Sequence, residues 1–348
     1  MNISVCIITK NEREYLEKCL ASLSRYPFEL VVVDTGSKDD SVAVANRYTS
    51  QVFEFEWCND FSVARNFSVS KASNDMIMIV DTDEFIEPFD YENFIKVVSS
   101  NKDKVGRINL NNVYTRNGVL HSTNEKLSRI FDRRYYGYQG SVHEQIVRHD
   151  GKNFETYEAP VEYKHVGYDG DENRLRDKAM RNIGLLEKEL ETKEDPYILY
   201  QIGKSYYMLG DFESALGYFE KATGFDLDSR LEYVVDLVVS YGYTLVNMGL
   251  TAEAMMFENL YEEFSYSADF VFLMGIIYMN NAVFDGAVSE FEKVKSYKEC
   301  NLVGVNSYLA DYNIGVIFEC LGDVKTAREY YSKCDSYDKA KARLEQLA

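Results

Sequence analysis

No apolar run in these 348 residues approaches the roughly 18 residues that a membrane-spanning helix requires. The run from Ile3 to Ile8 is too short for the apolar core of a secretory signal, and no basic stretch precedes it. A cytoplasmic protein is therefore expected. CxxC pairs are absent as well. The six cysteines (Cys6, Cys19, Cys58, Cys300, Cys320, Cys334) are scattered and do not cluster with the four histidines. That pattern argues for free thiols and against a zinc site. Basic residues are in the minority, with 38 Lys and Arg against 57 Asp and Glu and a net charge of -19. Such a chain repels a phosphate backbone, so no nucleic-acid partner is expected. No GxGxxG or Walker sequence follows the first apolar run, so any nucleotide is held without a glycine-rich phosphate loop.

What is present suits a chain of two or three domains with a mean hydropathy of -0.33. Ile3–Ile8 and Leu30–Val33 read as buried strands, and 52–57 alternates as a third. Tyr15, Leu16, Cys19, Leu20 and Leu23 lie on one helical face between the first two. Ser37 with Asp40 has the form of a capping box for a helix over about 38–48, and 61–72 reads as a short helix. Strand and helix alternate with short connections, which predicts a parallel α/β sheet. The stretch Met76-Ile77-Met78-Ile79-Val80-Asp81-Thr82-Asp83-Glu84 is its centre. A strand too apolar to be half exposed ends in three carboxylates, at the strand end where open α/β sheets bind ligands. Two Asp at i and i+2 can share Mg²⁺ or Mn²⁺. Every strand of this half ends in polar groups (Thr9 and Glu12, Asp34, Asp60 and Arg65, Asp81 and Asp83), and four such ends on one edge make a pocket.

Those same residues carry a resemblance. Ser4–Glu12, Val33–Ser37, Asn59–Asn66 and Asp81–Glu84 are similar, in order and spacing, to motifs of family-two nucleotide-sugar glycosyltransferases of the GT-A fold, a Rossmann-like α/β domain. The likeness is strong to about residue 90 and looser to about 170. It implies a UDP-sugar donor. Thr9, Glu12 and Asp34 would bind base and ribose, with Asp34 accepting the uracil N3–H. Arg65 would sit near the base or diphosphate, Asp81 at the ribose, and Asp83 at a metal bridging the phosphates. Such a cation offsets the charge that the departing diphosphate gains. Glu84 is expected to cap the next segment or orient Arg65, without direct chemistry.

After Pro88 the pattern changes to antiparallel strands. Val105–Val113 alternates, Asn117-Gly118 is a hairpin signal, and Lys126–Phe131 and Val142–Val147 read as further strands. Tyr135, Tyr136 and Tyr138 suit either a sugar-stacking wall or ordinary packing. Related transferases carry a His-Glu pair about 60 residues after the Asp-X-Asp, and Glu144 stands 61 residues after Asp83. That makes Glu144 the candidate general base of an inverting transfer, with His143 steadying its loop. His165 ends the domain before Gly167, a place suited to a further metal ligand or a diphosphate contact.

Residues 171–194 read as a linking helix. Beyond it Leu199, Ile202, Gly203, Tyr206, Gly210, Phe212, Ala215, Phe219 and Ala222 resemble a tetratricopeptide repeat of about 34 residues. Gly275, Tyr278, Phe284, Ala287 and Phe291 repeat the pattern, and so do Gly315, Phe318, Gly322, Ala327 and Tyr331; Gly242, Gly249 and Ala254 mark a weaker unit. An α/β domain over 1–170 followed by an all-α repeat solenoid over 195–348 is expected. Such arrays offer concave surfaces for peptides or for homodimerisation, and Tyr207, Tyr218, Tyr261, Tyr266, Tyr297 and Tyr308 suit a peptide groove. The combination resembles bacterial transferases that modify peptides or surface proteins on Ser, Thr or Cys. A transferase for a lipid-linked or envelope glycan, with the repeats docking a partner, is the second reading. A repeat scaffold that has lost activity is the third.

Overall fold

A strand that is apolar on both sides needs a layer on each face of its sheet. In the computed structural model, Ile3, Val5 and Ile7 enter one core with Met76, Met78 and Val80, whereas Cys6, Ile77 and Ile79 enter the other. The structure describes residues 1–116, 119–165, 172–334 and 337–347. The chain divides into two compact units, Met1–Leu175 and Arg176–Ala348. The boundary expected near residue 170 lies outside the described residues.

The first unit runs β1 (Ser4–Thr9), α1 (Arg13–Leu23), β2 (Glu29–Asp34), α2 (Ser41–Ala45), β3 (Val52–Glu54), α3 (Phe61–Lys71), β4 (Met76–Ile79), β5 (Glu84–Ile86), α4 (Tyr91–Ser100), β6 (Val105–Arg116), β7 (Val119–Asp132), β8 (Tyr136–Gln139), β9 (Gln145–Arg148) and β10 (Thr156–His165). Among the described residues the main sheet has the order β3-β2-β1-β4-β7-β6-β10-β5, and β8 pairs with β9 separately. Strands β3, β2, β1 and β4 are parallel, so Thr9, Asp34 and the acids after β4 share one edge. Leu16, Leu20 and Leu23 of α1 and Phe94 and Val98 of α4 cover one face. Val69 of α3 with Tyr136, Tyr138 and Ile146 covers the other.

Three local expectations are corrected. The helix expected over 38–48 is only Ser41–Ala45. Ser37 does not form a capping box; its hydroxyl accepts from the Asn11 N–H at 2.8 Å instead. Lys126–Phe131 is not a separate strand but the end of the long β7, and the Asn117-Gly118 hairpin signal lies outside the described residues. The strand expected over 142–147 starts only at Gln145. Gly140 (φ +104°) and His143 (φ +51°) are left-handed, which breaks the extended chain into a loop.

The second unit takes in all but the start of α5 (Glu172–Leu190). It comprises α6 (Pro196–Met208), α7 (Phe212–Thr223), α8 (Glu232–Asn247), α9 (Thr251–Ala254), a 3₁₀ segment Met255–Leu260, α10 (Tyr261–Phe264), α11 (Ala268–Asn280), α12 (Phe284–Val294), α13 (Tyr308–Cys320), α14 (Val324–Tyr331) and α15 (Asp338–Gln346). In three helical hairpins a glycine of the first helix meets an aromatic ring of the second. A Cβ on Gly203, Gly275 or Gly315 would stand 2.6 Å from Phe219, Phe291 or Tyr331 respectively. In the weaker unit the second helix is broken into α9, the 3₁₀ segment and α10, and Gly242 packs against Leu273 of the following hairpin. Of the six tyrosines expected to line a groove, only Tyr266 is exposed, at 57%. The others are half-buried, and Tyr218 is hydrogen-bonded to Glu187 at 3.0 Å.

Candidate active site

The site begins with two laced turns. The Asn11 N–H donates to Ser37 Oγ, the Lys38 N–H donates back to Asn11 Oδ1 at 2.7 Å, and the Glu12 N–H donates to Ser41 Oγ at 3.1 Å. Asp39 Oδ2 accepts from the Arg13 N–H, and Asp39 Oδ1 from the Ser41 N–H. Residues 37–41 therefore bind the turn after β1, which is why so little of that segment is helix. Within this frame Asp34 Oδ2 accepts from the N–H groups of Gly36 (3.0 Å) and Ser37 (2.9 Å). Asp34 Oδ1 and Thr9 Oγ1 are buried and have no hydrogen-bond partner among the described residues. A buried acceptor left open costs free energy unless something fills it. Thr9 stands opposite Asp34 in the sheet register, and Glu12 immediately precedes α1.

A buried chain of charges lies past β4. Arg65, on α3, pairs through Nη2 with Asp81 Oδ1 at 2.8 Å and through Nε with Glu144 Oε1. Arg129 Nη2 reaches Asp81 Oδ2 at 2.9 Å and Glu84 Oε1 at 2.6 Å. Glu84 thus pairs with Arg129 rather than steering Arg65. It also accepts the Asp81 N–H at 2.9 Å. Burial would raise the Asp81 carboxyl, but the guanidiniums of Arg65 and Arg129 outweigh it and hold the group well below the usual carboxylate range. Burial pushes the Glu84 carboxyl up further than Arg129 pulls it down. The Arg65 guanidinium lies 5.6 Å from the centre of the Tyr138 ring. Burial pushes the Tyr138 phenol up to about 12. Tyr136 is buried too, with its hydroxyl on the Asp103 carbonyl, so packing rather than a sugar wall accounts for both rings.

The Gly140–Glu144 loop is fastened to α3. The Phe61 N–H donates to the Ser141 carbonyl at 2.8 Å. The Asn66 side-chain amide bonds Tyr138 in both directions, each at 2.9 Å. The Asp60 side chain caps α3 by accepting the Val63 N–H.

Asp83 meets His165 because β10 runs antiparallel to β5, with His165 opposite Glu84. His165 Nε2 lies 3.3 Å from Asp83 Oδ2, and its Nδ1 lies 2.7 Å from Asn112 Oδ1. Were Nδ1 to donate its proton to Asn112 Oδ1, a neutral ring would turn the Nε2 lone pair toward Asp83, an arrangement that a cation would suit. No group of three or more His, Cys, Asp or Glu side chains placed to hold a metal occurs among the described residues. Asp83 and His165 are the two candidate donors that stand together there.

The structure brings Arg65, Asp81 and Glu144 into one chain of contacts, sets Thr9 beside Asp34, and pairs Asp83 with His165. Arg129, Asn112 and Asn66 escape reading from the sequence. The first is delivered by an irregularity in β7: Gly106 stands opposite Ile130 and Arg107 opposite Ser128, so Arg129 is skipped. The sequence offered only an arginine between Ser128 and Ile130 in a strand segment.

Residues 4–155 match the model of glycosyl transferase family 2, and residues 197–223 and 312–341 match models of the tetratricopeptide repeat. A TPR repeat-containing protein of Synechococcus elongatus is 28% identical over 225 residues, covering 61% of this chain and 54% of its own. The SPbeta prophage-derived glycosyltransferase SunS of Bacillus subtilis is 29% identical over 234 residues, covering 63% and 53%. An uncharacterized glycosyltransferase of Rickettsia felis is 24% identical over 206 residues, covering 56% and 67%. The chain spans about half the length of the first two relatives. No helix among the described residues is long and apolar enough to cross a membrane. Residues 4–155 thus carry a match to glycosyl transferase family 2, and matches to the tetratricopeptide repeat follow that domain.

Proposed function

We propose that the protein is an inverting glycosyltransferase that moves a sugar from a UDP-sugar to a Ser, Thr or Cys side chain of a peptide or protein. The observation that carries the donor reading is the open, buried Oδ1 of Asp34 beside the open Oγ1 of Thr9. An acceptor at that position suits the N3–H of uracil, and adenine offers no ring N–H there. Glu12 lies in the same laced turn and completes the base and ribose contacts. Asp81, with both oxygens held by arginines, faces the ribose in this reading, and Arg65 lies at the diphosphate side.

Asp83 and His165 are the residues proposed to hold Mg²⁺ or Mn²⁺, which when bound offsets the charge on the diphosphate. In the transfer, the acceptor oxygen or sulfur forms a bond to the anomeric carbon as the bond to the diphosphate oxygen breaks. The acceptor proton passes to Glu144, and UDP departs with the electron pair. Arg65 links Glu144 to Asp81, so the proposed base and the donor-side acid share one support. The acceptor class rests on the repeats, because arrays of this kind bind extended peptides.

Calorimetry with UDP, CDP and ADP in the presence of Mn²⁺ tests the donor. UDP should bind well and ADP should not; failure to bind UDP would end this reading. Intact-mass measurement of candidate peptides with several UDP-sugars then tests the acceptor, each transfer adding one sugar residue.

A further inference from the structure

Glu84 and Arg129 touch no part of the proposed donor, yet they enclose the turn that presents Asp81 and Asp83. Both are buried, at 2% and 9% exposure. A buried ion pair is an expensive way to gain stability, and apolar side chains of similar volume often serve as well. The contacts of this pair are arranged around the turn. The Glu84 N–H donates to the Asp81 carbonyl at 3.1 Å, and the Asp81 N–H donates back to Glu84 Oε2 at 2.9 Å. Arg129 then holds the side chains of both acids through a single Nη2. The skipped register at Arg129 falls where β7 leaves β4, whose last paired residue on that side is Met78, opposite Ile130. A β-bulge at such a place redirects a side chain that regular pleating would not aim there.

We infer that Glu84 and Arg129 are positioning residues for donor binding: together they mount the Asp81–Asp83 turn, and the bulge in β7 exists to deliver Arg129 to it. The inference rests on the donor reading above. It assigns to Arg129 a geometric task suited to a planar guanidinium, because the two N–H bonds of one Nη2 point in fixed directions at two different carboxylates.

Two variants test it. Arg129→Lys keeps the charge that offsets Glu84 but loses the planar guanidinium. The double variant Glu84→Gln with Arg129→Met removes both charges and leaves side chains of similar length, so that no buried charge stands alone. Melting temperature and UDP affinity by calorimetry, with Mn²⁺ present, are measured on the full chain. The expected result is near-parental melting in at least the double variant, with UDP affinity reduced by about 10- to 100-fold in both, the usual effect of removing a support of this kind. Parental UDP affinity in either folded variant would overturn the inference while leaving the donor reading standing. Loss of folding in both would assign the pair to stability and also overturn it. A parent protein that binds no UDP would overturn the donor reading and this inference with it.

Discussion

The two oxygens of Asp34 have different tasks, and that difference makes its amide variant informative. Oδ2 is committed to two backbone N–H donors. In Asp34→Asn the NH₂ group avoids those donors and takes the open position, where it meets the uracil N3–H donor to donor. UDP binding should weaken by about 1–3 kcal/mol, roughly 5- to 150-fold in Kd, in a calorimetric titration. Glu144→Gln keeps an oxygen for Arg65 Nε but cannot take a proton. Turnover with a hydroxyl acceptor should fall by about 10²–10⁴, less with a thiol acceptor whose thiolate is already partly formed, and UDP affinity should stay within about threefold. Unchanged transfer to a hydroxyl would move the base to another residue. At the opposite edge of the sheet, burial would raise Glu29, but hydrogen bonds from Ser4, Ser73 and Gln51 outweigh it and hold the carboxyl at about 2 against an ordinary 4.5. A carboxyl depressed by folding stabilises above its unfolded value and loses that contribution as pH falls through the folded one. Glu29→Gln should therefore be less stable than the parent at neutral pH. Denaturant titrations should show the gap closing as pH falls from 4.5 toward 2; a constant gap would remove Glu29 from the acid response.

Among the elements, two glycines of the first repeat should respond in opposite directions to the same change. Gly203→Ala places a methyl 2.6 Å from the Phe219 ring, whereas a Cβ on Gly217 of α7 has nothing within 4 Å. Overpacking costs about 1–3 kcal/mol against a helix-propensity gain of about 1 kcal/mol, so the first variant should melt several degrees lower. The second should gain about 0.4–1 kcal/mol and melt slightly higher. The glycine–aromatic pattern behind this prediction is legible in sequence because close helix packing excludes larger side chains at fixed positions. The parallel strands are legible for a similar reason: β1, β2 and β4 are apolar on both faces, which few other elements tolerate. Segments that spend their polar groups on each other are not legible. Residues 38–40 read as helix but are used to lace two turns, and residues 142–144 read as strand but bend through the left-handed His143. Of the site, the acids ending strands could be named from position and resemblance. The pairing of Asp83 with His165 depends on β10 meeting β5, and Arg129 depends on a skipped residue, neither of which leaves a periodic trace.

For the whole molecule, both units are acidic, with 21 Lys and Arg against 28 Asp and Glu over residues 1–175 and 17 against 29 over 176–348. That balance favours solubility and disfavours polyanions. Each unit also has cores of its own, one set joining Ile3 to Tyr163 and another within the repeats. Scanning calorimetry with UDP near 100 times its Kd should therefore stabilise the first unit by about 2.7 kcal/mol and raise one transition, while Gly203→Ala lowers the other. A single transition moved by both would show that the units unfold together. The strand order has a further effect during synthesis. Among the described residues β5 pairs only with β10, so Glu84–Ile86 lacks that partner strand until residues 163–165 have been made. At roughly 5–20 residues per second, that is a wait of about 4–16 s on the ribosome. Through that interval the growing chain contains every group proposed to bind the base but lacks His165, so the proposed nucleotide contacts would be complete before both residues proposed to hold a cation had been made.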